Sequence, residues 1–172
     1  MEEQRLLEEV AKRGARRILV QLPEGLKPLG IRISRLIEEK TGAVVYLSAE
    51  PCYGGCDLAV DEAQHLDADM IVHYGHTPFQ PPERISILYL EARSRIRLAP
   101  IVEKASRLMS DVKRVGLATT VQHIHEVGEV RKVLEKLKFK VIIPPPRGRV
   151  SYGGQIIGCD FSPLKEISNQ VE

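Results

Sequence analysis

The chain has 172 residues, of which 43% are hydrophobic and 28% charged, a composition typical of a soluble globular protein and not of a disordered one. Its net charge of +2 is too small to indicate a nucleic-acid-binding surface. No apolar run approaches the ~18 residues of a membrane span, and the acidic start MEEQRLLEEV is not that of a signal or transit peptide. We therefore expect a cytoplasmic protein with neither nucleic-acid nor membrane partners.

Short runs rich in Val, Ile and Leu alternate with helical patterns, which is typical of a parallel α/β sheet. In the first half the predicted elements are helix Glu3–Arg13, strand Arg17–Leu22, a helix from Leu26 to Thr41, strand Ala43–Leu47, helix Leu58–Leu66, and strands Asp69–His73 and Ile85–Leu90. Together they predict one complete four-stranded unit, which ends by about residue 92.

The pattern then restarts. The second half predicts helix Leu98–Leu108, strand Arg114–Ala118, helix His123–Leu137 and strand Lys140–Ile143. The sequence therefore predicts an α/β protein of repeated Rossmann-like parallel-sheet units with flanking helices. The first unit spans residues 1–94 and an incomplete second unit spans residues 95–172.

Two glycine-rich loops support the repeat. Residues 53–57 read YGGCD and residues 152–160 read YGGQIIGCD, so a Cys-Asp pair follows the second strand of each unit. An internal repeat explains both the shared tripeptide and its shared position. By this repeat, the chain lacks the second half of its second unit. Because a two-strand sheet would leave apolar surface and a strand edge exposed, we expect a homodimer.

Polar residues follow most of the predicted strands, and open parallel sheets bind their ligands at this edge. The candidate cofactor-binding residues are Gln21, Glu24, Gly25, His76, Thr119 and Gln122. For His73 and His76, ordering of the local backbone is an alternative role. The glycine-rich loops lack the G-x-G-x-x-G order of a dinucleotide site.

The three cysteines are an odd count, which disfavours a disulfide framework. Cys52 and Cys56 form a Cys-x3-Cys pair without a second pair, so their spacing does not favour zinc. No closely spaced three-cysteine iron–sulfur motif is present in the sequence. The repeat suggests a site with one thiolate from each unit, namely Cys56 and Cys159. Small buried residues in tight loops would give the same spacing.

Four motifs resemble the archaeal diphthamide-synthesis radical enzymes, the 2-(3-amino-3-carboxypropyl)histidine synthases. They are ILVQLPEGL from Ile18, YGGCDLAVDEAQHLDADMIVHYGHTPF from Tyr53, LATTVQHIHEV from Leu117 and GQIIGCDFSPL from Gly154. The resemblance covers essentially the whole chain. It implies three similar α/β units, each of which contributes one cysteine to a four-iron four-sulfur cluster.

On this resemblance Cys56 matches the first cluster ligand and Cys159 the second, and their sulfurs are expected to face one cavity. The cluster binds S-adenosylmethionine, splits a sulfur–carbon bond and directs the 3-amino-3-carboxypropyl group to a histidine of translation elongation factor 2. The family does not require Cys52. The third unit is missing here, so the chain alone is expected to be inactive.

Several alternatives remain open at this point. The chain is either a piece of the full radical enzyme or a naturally short, non-catalytic partner subunit. An enzyme similar to quinolinate synthase would also have one cysteine per unit, and a metal-free binding module would need none as ligands.

Overall fold

The chain divides into two units, Met1–Ala92 and Arg93–Glu172, each with a parallel sheet of its own. The computed structural model describes residues 2–79, 85–109 and 111–172. The start of the predicted fourth strand, Ile85, is described, whereas the residues just before it are outside the described ranges. Within the described ranges, no helix is both long and apolar enough to cross a membrane.

The first unit contains a four-stranded sheet in which every strand is parallel to its neighbours. The strands are β1 (Arg17–Gln21), β2 (Val44–Leu47), β3 (Met70–Tyr74) and β4 (Ser86–Leu90), in the order β2-β1-β3-β4. The register places Gln21 opposite His73. This arrangement confirms the predicted parallel α/β sheet.

Helices cover both faces of this sheet. On one face, α1 (Glu3–Arg13) and α2 (Gly30–Thr41) bury Leu6 and Ile37 against alternate residues of the central strands. On the other face, α3 (Val60–His65) packs Ala63 against Leu19 and Ile71. Because β1 and β3 are buried on both faces, they read as continuous apolar runs in the sequence.

Glycine ends the first two helices. Gly14 has φ 63° and Gly42 has φ 71°, a left-handed conformation that glycine adopts without steric cost. The predicted helix from Leu26 is wrong in its first turns, where the chain forms a 3-10 helix, Glu24–Leu29, before α2 begins. Pro28 explains the difference, since it lacks an N–H donor and disfavours α conformation in the residue before it.

The second unit repeats the helix–strand–helix–strand–helix order with which the first unit begins. It contains α4 (Ala99–Ala105), β5 (Arg114–Gly116), α5 (Val127–Lys136), β6 (Lys140–Ile142) and α6 (Ser162–Ile167), with 3-10 helices at Ser106–Leu108, Val121–Glu126 and Ser168–Gln170. Strands β5 and β6 pair in parallel. Val115, Val130 and Leu134 form the centre of a core of their own.

Three predicted boundaries in the second unit are wrong. The helix predicted to reach Leu108 is α-helical only to Ala105 and 3-10 from Ser106. The helix predicted from His123 is a 3-10 helix until Glu126, and α5 begins only at Val127. The strand predicted to reach Ala118 ends at Gly116, because the chain changes its partner beyond that point. Thr119 pairs with Gln155 instead of continuing along β6.

Candidate functional site

Cys52, His73 and His76 meet at the carboxyl edge of the first sheet. Sγ of Cys52 lies 4.0 Å from Nε2 of His73 and 3.9 Å from Nδ1 of His76. The two ring nitrogens are 2.9 Å apart. One potential ligand atom from each residue therefore lies within 4.8 Å of the other two. His73 is the fourth residue of the fully buried strand β3, and Cys52 and His76 lie in loops that follow β2 and β3.

Gln21, at the end of β1, fixes the orientation of His73. Nε2 of Gln21 donates to the carbonyl oxygen of Asp57 at 2.7 Å, and the N–H of Ala59 donates to Oε1 at 3.2 Å. One of these backbone groups accepts a hydrogen bond and the other donates one, so together they fix which side-chain atom of Gln21 is nitrogen and which is oxygen. Because Oε1 also lies 2.9 Å from Nδ1 of His73, Nδ1 carries the proton and Nε2 has a lone pair.

Burial keeps both histidines neutral. Desolvation, followed by the neighbouring His76, lowers the pKa of His73 to about 4. Desolvation also lowers the pKa of His76, against the opposing charge of Asp57. The pKa of the Cys52 thiol is raised to about 11, chiefly by burial and then by Asp57. At neutral pH the group of Cys52, His73 and His76 therefore contains two neutral imidazoles and a thiol, next to the side chain of Asp57.

A tight loop carries Cys56 beside the group formed by Cys52, His73 and His76. The N–H of Asp57 donates to the carbonyl of Gly54, and Oδ2 of Asp57 accepts from the N–H of Tyr53. At Gly55 a side chain would meet the carbonyl oxygen of Thr77 at 2.2 Å, so only glycine fits. The loop is thus held from within and against the segment that follows His76, while Cys56 itself is exposed.

In the second unit, Cys159 lies in a turn closed by the bridge between Ile157 and Asp160. It is exposed and, like Cys52 and Cys56, carries a free thiol. Upstream, the buried amide of Gln155 accepts the N–H groups of Ser151 and Tyr152. Each unit therefore uses a buried glutamine to hold backbone in its cysteine-bearing loop.

The remaining predicted residues differ in accessibility. Glu24 is exposed and forms an ion pair with Lys27, and Gly25 is exposed beside it. Thr119 is half-buried, and its backbone pairs with the segment around Gln155. Gln122 is also half-buried, and its carbonyl accepts the N–H of Ser94. In the first unit, the two ring nitrogens of His73 contact Gln21 and His76 and so link these two predicted residues.

Sequence reasoning did not group Cys52 with His73 and His76. The available signal is their position next to two strands that flank β1: Cys52 follows β2, His73 lies near the end of β3, and His76 follows β3. Strand order cannot be read from one sequence, and spacing along the chain relates Cys52 only to Cys56.

The residues available for an iron–sulfur cluster fit thiolate ligation. Cys56 and Cys159 are exposed in loops with glycine neighbours. A Cβ added to Gly54 would lie 3.5 Å from Sγ of Cys56, so the backbone passes close to this sulfur. Such an approach is a feature of loops that hold cluster ligands.

Comparison with known proteins gives a consistent result. Residues 22–172 match the family of diphthamide synthesis proteins. The 2-(3-amino-3-carboxypropyl)histidine synthase of Pyrococcus horikoshii is 33% identical over 164 residues, which are 93% of this chain and 47% of that protein. Subunit 1 of the synthase from Encephalitozoon cuniculi is 28% identical over 95% of this chain and 46% of its own length.

Solved structures with a similar fold come from the same group of proteins. Crystal structures of Dph2 from Pyrococcus horikoshii superpose with TM-scores of 0.85 and, for the form with a 4Fe-4S cluster, 0.84. Both are 30% identical and cover 96% of this chain and 49% of theirs. The chain spans about half the length of these relatives, and it belongs to the diphthamide synthesis protein family.

Proposed function

We propose that this chain takes part in the first step of diphthamide biosynthesis as a 3-amino-3-carboxypropyl transferase. The group donor is S-adenosylmethionine and the acceptor is a histidine of translation elongation factor 2. The observation that carries the proposal is the family match over residues 22–172. It is supported by relatives named 2-(3-amino-3-carboxypropyl)histidine synthase.

Cys56 and Cys159 would hold a four-iron four-sulfur cluster, and a third ligand would come from outside the described residues. When bound, this cluster supplies the electron that breaks a sulfur–carbon bond of S-adenosylmethionine by a radical route. The exposure of both thiols supports the assignment, since cluster ligands must be reachable during assembly. Their matching places after β2 and β6 support it further.

The surrounding residues have distinct tasks in this proposal. The fixed loop around Gly55 holds the Cys56 thiolate in place, and Gln21 positions this loop through Asp57 and Ala59. Glu24 and Gly25 are exposed just after the end of β1, where they would contact S-adenosylmethionine. Thr119 and Gln122 are further candidates for binding it, whereas His76, also a candidate from the sequence, lies against Cys52 and His73.

The partner proposals follow from the same family. Elongation factor 2 is a large substrate, and the acceptor histidine is its own, so no histidine of this chain is modified. We also propose a cytoplasmic homodimer, in which a second copy covers exposed strand edges.

Anaerobic reconstitution with iron and sulfide tests the assignment of the ligands. Cys56→Ser and Cys159→Ser should each lower the iron and sulfide bound per chain, whereas Cys52→Ser should leave both at the level of the unmodified protein. Because the chain alone is expected to be inactive, its transfer to elongation factor 2 in the presence of dithionite should be negligible, and full turnover would contradict the need for a third ligand from elsewhere. Iron content that is unchanged in both ligand variants, or lost only with Cys52, would contradict the proposal.

A further inference from the structure

The group formed by Cys52, His73 and His76 is distinct from the proposed cluster ligands, and its geometry is close to that of a tetrahedral metal centre. With Zn–S bonds of about 2.3 Å and Zn–N bonds of about 2.05 Å, tetrahedral ligands lie about 3.6 Å (sulfur to nitrogen) and about 3.4 Å (nitrogen to nitrogen) apart. The corresponding distances here are 4.0, 3.9 and 2.9 Å. Shifts of roughly half an ångström would therefore complete the arrangement.

The hydrogen bond from His73 to Gln21 leaves a ring nitrogen of His73 free to bind a metal. Gln21 accepts the Nδ1 proton of His73, so the lone pair of His73 Nε2 points toward the other two ligand atoms. A polar partner that orients a histidine in this way is typical of metal-ligating histidines. In this structure Nδ1–H of His76 donates to Nε2 of His73 at 2.9 Å. Metal binding replaces this hydrogen bond when the proton of His76 moves to Nε2, the other neutral tautomer, which frees a lone pair on Nδ1.

Packing and backbone geometry hold Cys52, His73 and His76 in place. His73 and Cys52 are buried, and the ring of Tyr89 packs at 5.2 Å from that of His73. Gly75, with φ 87°, turns the chain between the two histidines, where a Cβ would come within 3.0 Å of Pro23. The ligand residues are therefore held in place by packing and backbone geometry, which reduces the cost of ordering them on binding.

We propose that Cys52, His73 and His76 bind one divalent transition metal of the zinc class, separately from the iron–sulfur cluster. Two imidazoles and one thiolate are a ligand set that zinc prefers, and a water molecule or a fourth ligand completes the coordination. Binding releases the thiol proton of Cys52 to solvent. The carboxylate of Asp57 lies near the site and offsets the positive charge that remains on the metal.

The metal would fasten the loop after β2 to the end of β3. Cys52 lies four positions before Cys56 in the same loop, so a metal on Cys52 also restrains the segment that carries the cluster ligand. By joining these two segments, the bound metal stabilises the folded protein by mass action.

The test uses the Cys56→Ser/Cys159→Ser double variant, in which the proposed cluster ligands cannot contribute. Zinc is titrated against a chromophoric chelator, and Co2+ is then added as a spectroscopic probe. We expect one metal per chain, with the thiolate charge-transfer and tetrahedral d–d bands of Co2+. Adding Cys52→Ala or His76→Ala should weaken zinc binding by at least about tenfold, while His65→Ala, an exposed histidine on α3, should not change it.

Circular dichroism shows whether each variant is folded, and Cys52→Ser replaces Cys52→Ala if the latter is not. The proposal is overturned if the double variant fails to compete with the chelator for zinc. It is equally overturned if folded Cys52 and His76 variants bind zinc as tightly as their parent, or if the Co2+ spectrum is octahedral and lacks the thiolate band.

Discussion

Nδ1 of His73 lies 2.9 Å from Oε1 of Gln21, and this contact joins the ends of two neighbouring strands. The same Gln21 amide bonds to the backbone of Asp57 and Ala59, in the loop that connects β2 to α3. One buried side chain thus sets the position of a histidine in the candidate metal site and of the loop that carries Cys56. Removing it should affect both.

Replacing Gln21 with leucine should destabilise the first unit by about 3 kcal/mol. The leucine fills a similar volume but leaves an N–H, a carbonyl and a ring nitrogen without their partner, and each unsatisfied buried group costs about 1–3 kcal/mol. Urea denaturation followed by circular dichroism measures the loss. Gln64→Leu, on the exposed side of α3, is the control and should stay within about 0.5 kcal/mol. Equal stability of the two variants would show that the Gln21 amide is not needed.

Adjacent glycines in the Cys56 loop should respond differently to alanine. A Cβ on Gly55 would come 2.2 Å from the carbonyl oxygen of Thr77, which is backbone and cannot rotate away. A Cβ on Gly54 would meet Sγ of Cys56 at 3.5 Å and the backbone nitrogen of Cys56 at 4.0 Å, both ordinary contacts. We expect Gly55→Ala to cost about 2 kcal/mol or more and Gly54→Ala less than about 1 kcal/mol, measured by chemical denaturation. The reverse order would mean that the loop does not pack against Thr77.

The parallel sheet could be predicted because β1 and β3 are short apolar runs separated by helical patterns, and the glycines at positions 14 and 42 mark helix ends. The 3-10 helices were missed because a 3-10 turn and an α-helix bury similar positions, and only Pro28 signalled the difference. The group around Cys52 was missed for another reason. It depends on β2 and β3 lying on either side of β1, and residue spacing along one chain does not encode that order.

The core of the first unit offers a test of its packing on a single helix. Ile37 and Ile31 both lie on α2, but Ile37 is fully buried in the cluster with Leu6 and Ile18, whereas Ile31 is 62% exposed. Ile37→Ala should cost about 2–5 kcal/mol through lost burial and the cavity left behind. Ile31→Ala should change the free energy of unfolding by less than about 0.5 kcal/mol. Thermal or urea unfolding distinguishes them, and similar losses would contradict the orientation of α2.

The three thiols should differ in reactivity toward an alkylating reagent. Cys56 and Cys159 are exposed, whereas Cys52 is 5% exposed. Burial also raises the pKa of Cys52 to about 11, so only about one thousandth of it is the reactive thiolate at pH 8. A raised pKa leaves the thiol protonated below pH 11, and the rate for Cys52 should therefore increase with pH across the range in which the protein stays folded.

Single-thiol variants measure this directly, because Cys52 and Cys56 lie in one tryptic peptide with no Lys or Arg between them. The Cys56→Ser/Cys159→Ser variant retains Cys52 alone, and Cys52→Ser/Cys159→Ser retains Cys56 alone. With a chelator present to remove bound metal, Cys52 should be alkylated at least about tenfold more slowly than Cys56 at pH 8. In guanidinium chloride the two rates should become similar, which shows that the difference belongs to the folded state. Fast alkylation of Cys52 in the folded protein would place this thiol outside the buried group with His73 and His76.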